Sequence, residues 1–247
     1  MRTSINIIKR IWMPIILIAF GLLGLKYAKK SLAKTAYLVD GSRADIIVLS
    51  IEIIMTSVFI LFLMILFTMT YSIKHEAINT RIKYKSNLSR VYLEFGEYSI
   101  TSLIYTVVFV AILLCFAMHM NYSNINWSTG GSYFSYKMQM VSDLSFVEVI
   151  VRITLTLFVD FELVYIYYNI IYHLIGMKVV SIIIEFVIIK LTGIIGCINL
   201  IPVIRYKYLT DSLFNMSTVA YYLLLVICSV ALMFIVSREE YKSEDKD

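Results

Sequence analysis

The sequence predicts an all-α polytopic membrane protein with six transmembrane helices and with both termini in the cytoplasm. Two observations of composition lead to that prediction. Of the 247 residues, 60% are hydrophobic and 16% are charged, whereas soluble domains average roughly 45–50% and about 25%. The chain has only nine Gly and two Pro, and its mean hydropathy is +0.82. This composition excludes a disordered chain, a nucleic-acid-binding domain and an ordinary cytosolic enzyme.

Six stretches of the chain are apolar and long enough to cross a bilayer core, which takes about 20 helical residues. None of them alternates apolar with polar residues, so helices are favoured over transmembrane β-strands. In chain order the predicted spans are 11–28, 46–71, 98–120, 146–174, 179–204 and 217–237.

Each predicted span has its own justification in the residues. The first follows the basic residues of segment 1–10, which we expect to lie as a helix along the headgroups. The second is interrupted only by Glu52, and the third and sixth have no charged residue in their central parts. The fourth and fifth have long apolar runs but also carry charged residues within them.

The lysines and arginines outside the spans set the predicted orientation. With the N-terminus inside, the inner segments hold more of them than the outer segments, as the positive-inside rule requires. One outer segment is nevertheless basic, because four lysines three to four residues apart form a stripe that continues the first helix. One interpretation of the stripe is a helix face that contacts water or lipid headgroups. The other is an electrostatic landing site for an anionic lipid, a polymer or an acidic patch. The members of the stripe are Lys26, Lys29, Lys30 and Lys34.

Charged residues inside the fourth and fifth spans indicate a function or a partner. Inserting a charged side chain at mid-membrane costs at least about 2.5–3.5 kcal/mol of free energy. At a rise of about 1.5 Å per residue, Asp160, Glu162 and Lys190 lie at nearly the same depth. We therefore expect Lys190 to pair with Asp160 or with Glu162. Together with Glu185, these residues form either a structural clamp or the lining of a substrate path.

The motifs of several enzyme classes are missing from the sequence. The chain has no Gly-x-x-x-x-Gly-Lys-Ser/Thr loop to cradle phosphates, and His75-Glu76 lacks the second histidine that a zinc protease helix needs. An intramembrane peptidase remains an alternative, but its closest candidate pair, Cys197 and His173, lies at two different depths. No catalytic residue and no metal ligand is predicted. A further alternative is a membrane immunity or regulatory protein that works without an ATPase.

The connection between the second and third spans, residues 72–97, has the most specific pattern in the chain. It is basic, and its spaced apolar residues predict a short amphipathic helix at the inner surface. Glu76, Thr80, the run Leu88-Ser89-Arg90 and Gly96 follow one another at the spacing typical of the ABC-2 type permease family. The chain thus resembles that family here, and it departs from the family pattern at Asn87, where Pro is usual, and at Glu97, where Lys is usual.

The resemblance implies a permease domain that performs no bond chemistry itself. Two permease subunits, identical or different, would pair in a bacterial cell membrane. A cytoplasmic ABC ATPase dimer would drive them, with ATP and Mg²⁺ bound on the ATPase and no cofactor on this chain. Residues 72–97 would form the segment that couples to the ATPase. The coupling residues implied by the resemblance are Glu76, Thr80, Arg81, Ser89, Arg90 and Gly96.

The resemblance also implies a substrate class. Compact permeases of this kind export membrane-active amphipathic or antimicrobial peptides from Gram-positive-type bacterial cells. Acidic and aromatic side chains suit a cationic peptide through charge attraction and cation–π contacts. The aromatic candidates for lining the substrate path are Tyr165, Tyr167 and Tyr168. Ordinary packing is the alternative role for these tyrosines.

Overall fold

The computed structural model describes residues 2–36, 38–56, 68, 87–195, 200 and 206–244. These residues are mostly helical, and their only β-type pairing consists of two isolated bridges. The described helices are α1 (Arg2–Thr35), α2 (Arg43–Thr56), α3 (Asn87–Met118), α4 (Tyr133–Met138), α5 (Phe146–Ile175), α6 (Lys178–Ile195), α7 (Tyr206–Leu209) and α8 (Asp211–Glu244). The predicted all-α class is confirmed for this part of the chain.

The helices agree with the predicted spans to different degrees. Helix α5 coincides with the predicted span 146–174, whereas α3 begins well before residue 98 and α8 extends beyond 217–237 at both ends. Helix α1 is continuous through the predicted boundary between residues 10 and 11. Helices α2 and α6 cover the first parts of the second and fifth spans, and most of the remainder lies outside the described residues.

Two described helical stretches are long and apolar enough to cross a membrane. They are Leu93–Met118, within α3, and Thr218–Val236, within α8. A helix suits such a crossing because it satisfies its own backbone hydrogen bonds where no water is available.

The bounds of α5 follow from residues at its two ends. The backbone N–H of Ser145 donates to Glu148 Oε2 at 2.7 Å, and the N–H of Glu148 donates back to Ser145 Oγ at 3.3 Å. This is a capping box, which satisfies two N–H groups that the helix leaves free at its start. At the other end Gly176 has φ of +75°, and its N–H donates to the Tyr172 carbonyl at 2.7 Å. Glycine adopts this left-handed conformation without strain and ends the helix there.

The chain divides into two compact units, each described by itself below. Unit 1 comprises residues 1–58, 105–157 and 203–218, and unit 2 comprises residues 59–104, 158–202 and 219–247. In unit 1, α1 packs against α2. A Cβ at Gly21 of α1 would lie 3.3 Å from Phe109 and 3.4 Å from Leu113, so glycine at this position permits close contact with α3.

The predicted lysine stripe lies on α1 as expected. All four of its lysines are exposed, while Leu25, Ala28 and Leu32 on the same stretch of helix are buried. Helix α1 thus buries one face and presents the lysines on another. The arrangement agrees with the solvated or headgroup-touching alternative and leaves the landing-site alternative open.

An aromatic cap, which we define as Trp127, Tyr133, Phe134 and Tyr206, fills the interior of unit 1. All four rings are buried. Trp127 stacks on Phe134 with ring centroids 4.4 Å apart, and Tyr206 meets Trp127 edge-on at 5.6 Å. Such offset and edge-to-face pairs add about 0.5–1.5 kcal/mol each beyond the apolar area that they bury. The cap therefore joins the connection after α3, helix α4 and helix α7 into one packed region.

Asp45, in the first turn of α2, lies beneath the aromatic cap and is fully buried. Its Oδ1 accepts a hydrogen bond from Trp127 Nε1 at 2.9 Å. Its Oδ2 accepts two, from the backbone N–H of Ser42 at 2.8 Å and from Ser42 Oγ at 2.7 Å. Burial raises the pKa of Asp45, and these hydrogen bonds offset only part of that effect. Burial likewise raises the pKa of Tyr206 well above its usual range, so its hydroxyl keeps the proton that it donates to the Asp45 carbonyl at 3.4 Å.

The raised pKa of Asp45 predicts how the stability of unit 1 depends on pH. Because the folded carboxyl holds its proton more tightly than the unfolded one, its contribution to stability is greatest below the ordinary value of 3.8 and falls as pH rises through the folded pKa. Asp45→Asn cannot titrate and should lack this decline. The measurement is thermal unfolding followed by Trp127 fluorescence in a Trp12→Phe background, which leaves a single tryptophan. Parallel pH profiles for the two chains would contradict the assignment.

Candidate functional site

The predicted coupling residues are only partly described by the structure. Glu76, Thr80 and Arg81 lie outside the described residues. Ser89 and Arg90 lie in the first turn of α3, so the end of the predicted coupling segment belongs to the same helix as the third span.

Gly96, the last of the predicted coupling residues, is also in α3. A Cβ built there would meet no atom within 4 Å. Packing among the described residues therefore does not require glycine at this position.

Glu162 on α5 is buried and fully engaged by hydroxyl groups in unit 2. Ser102 Oγ donates to Glu162 Oε1 at 2.6 Å, and Ser99 Oγ donates to Glu162 Oε2 at 2.8 Å. Both serines belong to α3, and their spacing of three residues puts them on one face of that helix. Hydrogen bonds to a charged acceptor contribute about 1.5–3 kcal/mol each. Glu162 thereby fastens α5 to α3.

The expected ion pair between Lys190 and Asp160 or Glu162 does not form among the residues that the structure describes. Glu162 takes its hydrogen bonds from the two serines of α3, and neither carboxylate has an ion pair with Lys190. The physical reason is rotation about the helix axis. Equal depth places three side chains at one level, but it does not decide toward which neighbouring helix each of them points.

Asp160, two residues before Glu162, is in a different situation. It is fully buried on α5, and neither Oδ1 nor Oδ2 has a hydrogen-bond partner among the described residues. Residues two apart on a helix project to different faces, so the serines that hold Glu162 do not serve Asp160. A buried carboxylate without a donor is costly, because water would solvate it far better.

Glu185 on α6 is the second buried carboxylate of this kind. Its side chain is fully buried, and neither carboxylate oxygen has a hydrogen-bond partner within the described residues. Unlike Asp160, it lines a cavity of about 180 Å³ in unit 2. The residues around this cavity are Tyr167, Ile170, Ile171, Glu185, Ile188, Ile189 and Leu200.

The three tyrosines predicted to line a substrate path have separate roles. Tyr165 is buried and stacks on Tyr98 with ring centroids 4.1 Å apart, which is ordinary packing between α5 and α3. Tyr168 is buried and stacks on Tyr172 of its own helix at 6.0 Å. Only Tyr167 lines the cavity, where its hydroxyl donates to the Leu200 carbonyl at 3.0 Å.

Comparisons with known proteins assign no family to this chain. No family model matches it, no curated protein matches it, and no solved structure matches it. In the portion of the chain that is described, no group of three or more His, Cys, Asp or Glu side chains could hold a metal ion. The site consists of buried carboxylates, of which one is held by serines and two have no hydrogen-bond partner in the described ranges.

The serine clamp on Glu162 makes a prediction about stability. Ser102→Ala removes a hydrogen bond to a buried carboxylate and should lower the free energy of unfolding by about 1.5–3 kcal/mol. Ser181→Ala is the matched control, because Ser181 is equally buried and its hydroxyl bonds only the Met177 carbonyl of its own helix. Thermal unfolding of the purified full chain should show a larger drop in Tm for Ser102→Ala. Equal drops for the two variants would contradict the clamp.

Proposed function

We propose that this chain is the transmembrane permease subunit of an ATP-driven ABC exporter in a bacterial cell membrane. In this proposal the chain crosses the membrane six times, has both termini in the cytoplasm and pairs with a second permease subunit. A cytoplasmic ABC ATPase dimer binds and hydrolyses ATP with Mg²⁺. The cargo is a membrane-active amphipathic or antimicrobial peptide.

The observation that carries the proposal is the pair of buried carboxylates Asp160 and Glu185, for which no described residue supplies a hydrogen-bond donor. Ionisable residues inside membrane helices are costly, and they mark substrate or ion pathways more often than they serve as structural contacts. A protein that used these helices only for anchoring would be more stable with apolar residues at both positions. A carboxylate at either position, when ionised, is complementary to a cationic peptide.

The course of α3 supports a mechanical connection between the coupling segment and the buried carboxylates. The helix is continuous from Asn87 to Met118 and includes Arg90 near its start. Ser102, which holds Glu162, lies about 18 Å further along the same helix at a rise of 1.5 Å per residue. A displacement of the start of α3 by an ATPase would therefore move the serines and, through Glu162, helix α5.

The same geometry explains why Asp160 and Glu162, both on α5, have different roles in this proposal. Glu162 transmits movement because its hydrogen bonds link it to α3. Asp160 has no such link among the described residues and is left for cargo or for a partner subunit. Peptide export then needs no nucleophile and no metal on this chain, since the chemical step is ATP hydrolysis in the separate subunit.

The proposal predicts that an ATP-hydrolysing subunit co-purifies with the full-length tagged chain from its native membrane. Arg90→Glu should abolish that association, because the charge reversal falls in the predicted docking segment. Lys30→Glu is the matched control, since it reverses an exposed charge on α1 in unit 1. The measurements are mass-spectrometric identification of the subunit, its stoichiometry, and ATP hydrolysis by the complex.

Two results would contradict the proposal. One is the absence of any ATPase subunit from the wild-type preparation, which would favour the ATPase-independent immunity or regulatory protein. The other is equal association for wild type, Arg90→Glu and Lys30→Glu, with all three chains normally inserted in the membrane.

A further inference from the structure

One side of α1 changes from apolar to basic along the length of the helix. At about 3.6 residues per turn, its exposed apolar residues and the lysine stripe fall within one arc of about 140°. The buried residues Leu25, Ala28 and Leu32 lie outside this arc. We call this side the two-part face. Its apolar part comprises Ile15, Ala19, Leu22 and Leu23, and its basic part comprises Lys26, Lys29, Lys30 and Lys34, all of them exposed.

Helix α3 loses its apolar surface at the same level. Gly21 of α1 lies against α3 between Phe109 and Leu113. The two helices run in the same direction, because Arg43, soon after α1, donates to the carbonyl of Met118 at the end of α3. At about 1.5 Å per residue, the apolar stretch of α3 ends about 10 Å beyond this contact, and the basic part begins about 8 Å beyond Gly21. Two neighbouring helices therefore mark one boundary between apolar and polar surroundings.

The described part of the chain does not neutralise the lysine stripe. None of its lysines has an ion pair with a described residue. Lys26 and Lys30, like Lys30 and Lys34, are one helical turn apart, and like charges at this spacing destabilise a helix. Tyr27, which is 62% exposed, lies beside the junction of the two parts, where a tyrosine suits a membrane–water interface. An anion bound along the stripe would remove the repulsion between the lysines.

An anionic lipid matches both parts of the face. Its acyl chains can contact the apolar side chains, and its phosphate accepts hydrogen bonds from lysine ammonium groups. Lys26 and Lys30 lie about 4.5 and about 10 Å beyond Leu23 along the helix axis. Their side chains lean back toward the N-terminus of the helix and so reach a headgroup layer about 5–8 Å thick. A water-soluble acidic polymer would match the lysines but not the adjoining apolar part.

We propose that the lysine stripe binds the phosphate groups of anionic membrane lipids, with the acyl chains of those lipids against the apolar part of the two-part face. The stripe selects anionic over zwitterionic lipids around α1 and fixes the depth of this helix in the bilayer. The inference goes beyond the proposed function and shares with it only the membrane location. Lipid binding needs no ATPase.

The first experiment measures the lipid selectivity of the purified full-length chain in nanodiscs of phosphatidylcholine and phosphatidylglycerol. Native mass spectrometry reports how much of each lipid stays bound when the disc is removed. We expect phosphatidylglycerol to be retained preferentially. Lys30→Gln should lower that preference about fivefold, the effect of one lysine near an anionic surface. Lys137→Gln is the matched control and should leave it unchanged, because Lys137 is exposed on α4, outside the two-part face.

Two quadruple variants separate charge from side-chain packing. Replacing all four lysines of the stripe by arginine keeps the charge and should keep the preference for phosphatidylglycerol. Replacing all four by glutamine should abolish it. Equal retention of the two lipids by the wild-type chain overturns the inference, and so does an undiminished preference in the glutamine variant.

A second measurement uses the wild-type chain alone and does not depend on the folding of any variant. Phosphatidylglycerol and phosphatidylcholine with a photoreactive group on the headgroup are crosslinked to the chain, and the labelled segments are located by mass spectrometry. Segment 26–34 should be labelled more strongly by phosphatidylglycerol. Excess soluble polyglutamate should leave this labelling unchanged. Loss of the labelling would identify an acidic polymer or protein as the occupant and would overturn the inference.

Lys30→Glu distinguishes this inference from the proposed function. The variant should lose its preference for phosphatidylglycerol and keep its ATPase subunit, because the lysine stripe and the start of α3 lie on different helices. A retained lipid preference in Lys30→Glu overturns the inference. Absence of an ATPase from the wild-type preparation contradicts only the proposed function.

Discussion

A carboxylate buried among helices needs a hydrogen-bond donor or a cation, and much of this structure depends on how that need is met. In unit 1, Asp45 receives hydrogen bonds from Trp127 and from both the backbone and the hydroxyl of Ser42. The start of α2 is thereby tied to the connection after α3, and the aromatic cap closes over the site. In unit 2, Glu162 receives two serine hydroxyls and fastens α5 to α3. At these two positions the chain itself supplies the hydrogen-bond donors, and the hydrogen bonds link segments that are far apart in the sequence.

At Asp160 and Glu185 the described residues supply no hydrogen-bond donor to either carboxylate oxygen. The two positions nevertheless differ, because Glu185 is among the residues around the cavity of unit 2 and Asp160 is not. In the proposed function Glu162 transmits movement between helices, whereas the carboxylates without a described hydrogen-bond partner attract a positively charged cargo. In our account unit 2 combines both kinds, so that cargo recognition at Glu185 and mechanical linkage at Glu162 lie on neighbouring helices. The serine pair has no charge and would attract little attention in a search for functional residues.

The sequence predicted the course of single helices better than it predicted contacts between them. The bounds of α5 follow from local signals, namely Ser145-x-x-Glu148 at its start and Gly176 at its end. The partner of Glu162 was not predicted, because depth along a helix leaves its rotation undetermined. The spacing of Ser99 and Ser102 on one face was the available signal. The aromatic cap was missed for a related reason, because Trp127 meets Asp45 across 82 residues of chain and no periodic pattern relates residues so far apart.

The most direct test of the central claim joins recognition at Glu185 to the action of the ATPase. The full chain and the proposed ATPase subunit are reconstituted in liposomes, and ATP hydrolysis is measured while a lysine-containing amphipathic peptide is added. The account predicts that hydrolysis is stimulated in the wild type and that the stimulation is lost in Glu185→Gln. Glu148→Gln, the same change at the exposed start of α5, should keep the stimulation. Equal stimulation in Glu185→Gln and wild type, or no stimulation of a wild-type complex that hydrolyses ATP, would contradict it.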